Sequence, residues 1–302
     1  MPPHRLLHAR SERGFIVVVV LWMLAALAGL ALIYLTYVTN SAATVAVNTD
    51  HLQADALTNA GIELAAYRLT AQNEATRPTS GTFNARIGAG RVAVTFRSEA
   101  ARIDLNMAPK AVLAGLMVGL GVSAADASDY ADRILAWRSS TEPGLENPED
   151  SFYRTLGAPY LPRHAPFPHS DELWLVRGIP PVVIERVLPF VTVFSNMRTV
   201  NVVDAAPQVV AALPDMTPQN LQRLLRDRVD PNVDRRSLIG LAGSASATIE
   251  GSKAYRVNVT AEAPSRRQSS AEIVILLLEN GDEPYRVLSW HNAFDGSAGK
   301  PL

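Results

Sequence analysis

From Gly14 to Thr49 the chain carries no charged side chain. Within that stretch, Phe15 to Leu35 is almost wholly apolar. As a helix this run rises about 32 Å at roughly 1.5 Å per residue. That is enough to cross a bilayer core of about 30 Å. Arg5, Arg10 and Arg13 precede it. The positive-inside rule then keeps the short N-terminus cytoplasmic and sends everything after Leu35 across the membrane. Three readings compete: a cleaved secretory signal, a plain signal anchor, and a leader cut at Gly14 with the apolar helix retained. The apolar region exceeds the roughly 7–15 residues usual in a secretory signal. Ser11-Glu12-Arg13-Gly14-Phe15-Ile16 has the form of the third, a short basic leader ending in Gly before an aromatic residue.

The following segment, Ala42 to Leu69, contains no proline. Val45, Leu52, Ala56, Ala60, Leu64 and Tyr67 fall near helical spacing, with Asp50, Asp55 and Glu63 between them. One helix is therefore expected over 15–69, half in the membrane and half outside. Ala25, Ala26, Ala28, Gly29 and Ala31 allow close helix contact in lipid.

Asn73 to Gly90 reads as a loop and Arg91–Arg97 as a strand. Arg102 to Arg228 is mainly helical, with candidate helices Pro109–Leu120, Ala124–Arg138, Ser170–Val176, Pro181–Val187, Ala206–Leu213 and Pro218–Arg228. Ser139 to His169 holds six prolines and no clear periodicity, the mark of a long loop. After Asp230 the pattern turns to strands at Tyr255–Ala261, Ala271–Leu278 and Tyr285–Trp290. The expected fold is α+β: an antiparallel sheet packed on the long helix, with a helical domain inserted into it. The divisions are 1–14, a leader; 15–38, the membrane helix; 39–101, the rest of the long helix and first strand; 102–230, the inserted domain; and 231–302, the last strands. Inside the insert, Ile103-Asp-Leu-Asn-Met-Ala-Pro109 and Val200-Asn-Val-Val-Asp-Ala-Ala-Pro207 form a near-repeat: an extended piece, a polar cap, then Pro at a helix start.

Little in the chain points to chemistry. The net charge is -1, from 28 basic and 29 acidic residues, and there is no cysteine. The balance argues against polyanion binding, and thiol chemistry and Cys-ligated metals are excluded. The phosphate-loop, His-Glu-x-x-His, Gly-x-Ser-x-Gly and EF-hand patterns are missing, so no enzyme is expected. His164 and His169 read as solvated loop residues rather than a metal pair. Gly119-Leu-Gly-Val-Ser123 resembles a helix-hairpin-helix turn, which would make a membrane-anchored DNA-binding protein the alternative function. Asp126, Asp129 and Asp132 follow it and repel phosphate.

In order along the chain, Arg13-Gly14-Phe15, Asp55-Ala-Leu-Thr-Asn-Ala-Gly-Ile-Glu-Leu64, Ile103-Asp-Leu-Asn106 with Ala108-Pro109, Ile134-Leu-Ala-Trp-Arg138, Pro148-Glu-Asp-Ser-Phe-Tyr153, Asp171-Glu-Leu-Trp-Leu-Val-Arg-Gly-Ile179, Leu188-Pro-Phe-Val-Thr-Val193, Val200-Asn-Val202 and Tyr285-Arg-Val-Leu-Ser-Trp290 resemble the general secretion pathway protein K family. Its members are the large minor pseudopilins of the bacterial type II secretion system. The resemblance implies a pseudopilin fold whose inserted domain is of the helix-hairpin-helix or SAM-like kind. It implies cleavage by the prepilin peptidase between Gly14 and Phe15, N-methylation of Phe15, and residence in the inner membrane with the bulk periplasmic. Such pilins usually carry Glu at the fifth mature position, to pair with a neighbour's N-terminal amine. Val19 stands there instead, which fits a subunit at the pseudopilus tip. Minor pseudopilins I and J are the implied partners, with Val19, Leu52, Ala56, Ala60 and Leu64 facing partner helices. Some members bind calcium in the helical domain. Glu149 and Asp150 match that acidic pair, with Glu146 and Glu142 nearby, whereas Ser139 and Thr141 stand where aspartates are common. Calcium is therefore expected to be weak or absent.

Overall fold

The computed structural model describes residues 13–140, 147–243, 245–265, 268–279 and 283–293. It forms two compact units, Met1–Asp55 and Ala56–Leu302. Helix α1 covers Arg13–Thr70, as the proline-free sequence leads one to expect. In the first unit, Phe15–Asn40 is long and apolar enough to cross a membrane, with a mean hydropathy of 2.9 and no side-chain burial. Its threonine hydroxyls are satisfied within the helix. Thr36 donates to the Ile33 carbonyl at 2.8 Å and Thr39 to that of Leu35 at 3.0 Å, which lowers the cost of placing them in an apolar phase.

In the second unit, the end of α1 lies on a sheet. The buried face is Leu57, Ile62, Ala65, Ala66 and Leu69, a helical spacing. It differs from the expected stripe: Ala56 and Tyr67 are exposed, and Ala60 and Leu64 are half-buried. The face that meets the sheet is offset around the helix and combines Leu57, Ile62 and Leu69 with the small Ala65 and Ala66. Strands β1 (Ser80–Ile87) and β2 (Gly90–Ser98) form an antiparallel hairpin, Ser80 opposite Arg97 and Ile87 opposite Gly90. β1 corrects the loop expected over 73–90. Its Thr, Ser, Gly and Asn content hides a strand whose pairing is supplied by β2, while Phe83 reaches the core.

Between β2 and the next long strand lies the insert. It begins with a 3₁₀ turn, Glu99–Ala101, and β3, Ile103–Asp104. Helices α2 (Lys110–Gly119), α3 (Ala124–Arg138) and α4 (Pro148–Thr155) follow. After a 3₁₀ segment, Ser170–Leu175, come α5 (Pro181–Val187) and β4 (Val191–Thr192). The block continues with β5 (Val200–Asn201), α6 (Pro207–Ala211), α7 (Pro218–Asp227), α8 (Arg235–Ala242) and β6 (Ala247–Thr248). The boundary expected at 230 falls one helix short, because Leu238 and Ala242 of α8 belong to the insert's own core. α4 also went unforeseen. Its single buried side chain is Tyr153, too few to make a period. Tyr153, Tyr160 and Phe167 ring the buried Trp137, so the described residues 147–169 are held by aromatic packing rather than by helical repetition.

The near-repeat is real in three dimensions. Asp104 Oδ1 accepts from Asn106 N at 2.8 Å, and Asn201 Oδ1 from Val203 N at 2.9 Å. Each turn follows a short parallel bridge, β3 with β4 and β5 with β6. The helix starts differ slightly, since Pro109 is the residue before α2 whereas Pro207 is the first of α6. Strands β7 (Ala254–Glu262), β8 (Gln268–Leu277) and β9 (Tyr285–Ala293) complete a five-stranded sheet of order β1-β2-β7-β8-β9. Adjacent pairs in it are antiparallel. The expected α+β arrangement, a helix on an antiparallel sheet with a helical insert, is what the chain forms.

Candidate functional surfaces

Three surfaces correspond to the residues singled out above. The first is the apolar helix. Phe15 and Val19 are exposed along it, as is Leu52 at 71%. Gly14 falls within α1, and the rest of the leader, residues 1–12, lies outside the described residues. Ala56 is exposed too, but Leu64 packs partly against the sheet core. Leu52 and Ala56 are therefore free to meet another helix, whereas Leu64 already serves the fold.

The second is the hairpin joining α2 to α3. Gly121 has φ +91°, a left-handed conformation that favours glycine. Val122 N then reaches the Met117 carbonyl at 3.0 Å, and Ser123 caps α3 by accepting from Asp126 N at 3.2 Å. Asp126 in the first turn suits the helix dipole. Lys110, a nearby cation, is already paired with Asp132 at 2.6 Å. The hairpin thus presents carboxylates, and its geometry is a structural turn between two packed helices.

The third is the acidic end of α4. Glu146 and Glu142 lie outside the described residues. Glu149 Oε1 is 3.4 Å from Arg133 Nη1. Burial pushes its carboxyl above the usual range, against the pull of Arg133. Asp150 Oδ1 is 2.7 Å from His164 Nε2. Calcium takes six to eight oxygens. Here each described carboxylate of the expected site faces a nitrogen partner, with which a cation would have to compete. The two loop histidines part company: His164 joins Asp150, while His169 lies beside Asp171 and His291.

Sequence reasoning missed the junction between insert and sheet. Glu99, 1% exposed, accepts from Arg256 Nε at 2.8 Å and from Thr192 of β4. Arg256 also pairs with Glu272 of β8. Burial works against the Arg256 charge, but Glu99 and Glu272 outweigh it and hold its pKa above the ordinary arginine value. Arg102, beside it, is pushed down to about 10 by burial and by Arg256. Asp204 adds a second clasp, accepting from Ser80 Oγ at 2.7 Å and from Thr79. The partners lie tens of residues apart or more, so no local pattern marks them.

Comparison with known proteins agrees with this architecture. Residues 96–196 match the family described as Type II secretion system (T2SS), protein K. The match takes in α2 to α5 and the motifs from Ile103 to Val193. The fold is similar to a chain in the crystal structure of the GspK-GspI-GspJ complex from the enterotoxigenic Escherichia coli type 2 secretion system. The TM-score is 0.57 at 17% identity, over 83% of this chain and 99% of that one. No curated sequence relative matches. The resemblance to the protein K family seen in the sequence is borne out.

Proposed function

We propose that this protein is a minor pseudopilin K of a type II secretion system. It is a structural subunit that caps the pseudopilus tip and helps initiate its assembly for export of folded proteins across the outer membrane. The observation that carries the reading is the pairing of the protein K match over 96–196 with one exposed apolar helix, Phe15–Asn40. The solved structure it resembles is a complex with I and J subunits, and such minor pseudopilins are its partners here. The basic leader orients the N-terminus to the cytoplasm and the second unit to the periplasm. The prepilin peptidase removes residues 1–14, exposing Phe15. The role needs no catalysis and no cofactor, and carboxylates around the hairpin disfavour nucleic acid.

Tip position follows from two features. Val19 brings no carboxylate to pair with an amine in the bilayer, where an unpaired charge is costly. The insert, a block with its own core, is too bulky for tight stacking of a further subunit above it. Lengthened pseudopili carrying a labelled copy test this: signal at one end is expected, and signal along the fibre would overturn the cap. Leu52→Asp should abolish the complex with I and J, because a carboxylate buried without a partner is strongly unfavourable. Unchanged complex formation would remove that face of α1 from the interface.

A further inference from the structure

The insert and the sheet meet again at a cleft of about 270 Å³ that no role described so far uses. Its walls include His169 and Asp171, at the start of the 3₁₀ segment, and His291, on the edge strand β9. One ligand atom from each of these three side chains lies within 4.8 Å of the others. The two imidazole rings are 5.9 Å apart between centroids, and Asp171 Oδ2 is 3.3 Å from His169 Nδ1. Phe194 packs its ring at 6.2 Å from that of His169, and Ser289 Oγ lies 3.2 Å from His291 Nδ1.

We propose that His169, Asp171 and His291 form a binding site for zinc(II). Two imidazoles and one carboxylate are a zinc donor set, and the three ligands leave a fourth tetrahedral position for water. Zinc–ligand bonds of about 2.0–2.1 Å place tetrahedral donor atoms about 3.4 Å apart. Closing from the observed spacing therefore asks for rotations about side-chain bonds, which Asp171 and His291 are exposed enough to make. The Ser289 hydroxyl beside His291 Nδ1 is the kind of partner that fixes a ligating ring while leaving Nε2 for the metal. The local charge permits a dication: Arg256 is balanced by Glu99 and Glu272, Arg102 adds one positive charge, and Asp171 is one further carboxylate. The ligands come from residues 169–171 and 291, so a bound ion would staple the unpaired edge of the sheet to the insert.

The test is a zinc chloride titration of the full-length chain in detergent, with His4, His8 and His51 replaced by Ala, which leaves His164 as the one histidine outside the site. One zinc per chain is expected, with a rise in melting midpoint on saturation, as for any ligand bound only by the folded state. Cobalt(II) in place of zinc should give the visible absorption of a tetrahedral centre. His291→Gln, and His169→Asn, which keeps a side chain able to cap the 3₁₀ segment, should each weaken zinc binding by more than about a hundredfold, beyond the roughly 10–100-fold that loss of a supporting contact costs. His164→Ala should leave it unchanged. No zinc uptake by the parent chain, or equal uptake by the His169→Asn/His291→Gln double variant, would overturn the site.

Discussion

Replacing Glu99 by Ala tests whether the insert is pinned to the sheet by charge. Glu99 is buried and receives both Arg256, at 2.8 Å, and Thr192. Its loss strands a buried guanidinium and leaves a hydroxyl without its acceptor. Breaking a fully buried pair costs about 3–5 kcal/mol. Arg256 keeps the more exposed Glu272, so the expected loss is nearer about 2–4 kcal/mol. Arg102 adds to it, because Glu99 is among the charges that favour its proton. For a unit of this size, each kcal/mol moves the melting midpoint by about 2–4 °C, so a fall of roughly 5–15 °C is expected.

The assay is thermal and urea unfolding of wild type, Glu99→Ala, Arg256→Met and the double variant. The double should recover part of the loss, since an apolar replacement of both partners removes the stranded charge. A Glu99→Ala midpoint within error of wild type would refute the reasoning. A double variant whose loss is the plain sum of the singles would do the same, because neighbours in one network do not act independently.

Three other outcomes follow from the structure. A Cβ at Gly115 would collide with the Ala212 carbonyl oxygen, and backbone cannot yield cheaply. Gly115→Ala should therefore destabilise by about 1–3 kcal/mol despite its better helix propensity. Gly240→Ala in α8, with open space around it, should instead stabilise by up to about 1 kcal/mol, and chemical denaturation of the pair separates sterics from propensity. Intact mass of the chain from cells with active prepilin peptidase should fit a start at N-methylated Phe15. The mature chain then has 302 − 14 = 288 residues and a charge of 25 − 28 = −3, and a retained leader would defeat the processing proposal. Millimolar calcium against chelator should leave the melting midpoint of a His169→Asn/His291→Gln variant unchanged, since Glu149 and Asp150 already have nitrogen partners; a clear rise would restore the calcium site.

Elements with a strong period or clean punctuation were legible. α3 falls on the expected Ala124–Arg138 and α5 on Pro181–Val187, because Ser123 and Pro181 mark their starts. Of the three late strands β7 alternates most plainly, with Val257, Val259 and Ala261 buried on one face, whereas β8 is marked by its apolar run, in which Ile273, Val274 and Ile275 are all buried. What stayed hidden was structure carried by partners far along the chain. β1 has a poor strand composition and depends on β2. α4 buries one tyrosine into an aromatic cluster assembled from residues 137, 153, 160 and 167. The site residues divide in the same way. The apolar run announces itself, whereas Glu99 with Arg256, or His169 with His291, are joined only by the fold. Even in the long helix the buried face is offset from the expected one, because apolar residues occur on both sides of it: Leu57, Ile62 and Leu69 are buried while Leu52 and Tyr67 are exposed.

The two halves of the near-repeat explain how so large an insert can interrupt a sheet without loosening it. Each half turns the chain just after a parallel bridge, and each bridge joins a segment near one end of the insert to a distant one: Ile103 to Val191, and Val200 to Ala247. The polar residue at each turn is buried and fully used, but by different chemistry. Asp104 accepts from Ser195 Oγ at 2.9 Å and Asn196 N at 2.8 Å. Asn201 donates instead, to the carbonyls of Ile249 and Glu250, each at 3.1 Å. A carboxylate can only accept and an amide can do both, so exchanging the two would leave buried donors facing donors in one place and acceptors facing acceptors in the other. The repeat thus fixes the backbone turn twice, while the choice of Asp or Asn is set by the strand it must hold. With Glu99 and Asp204 clasping the same border, the insert is anchored where it leaves the sheet and, through Arg256 of β7, where it returns.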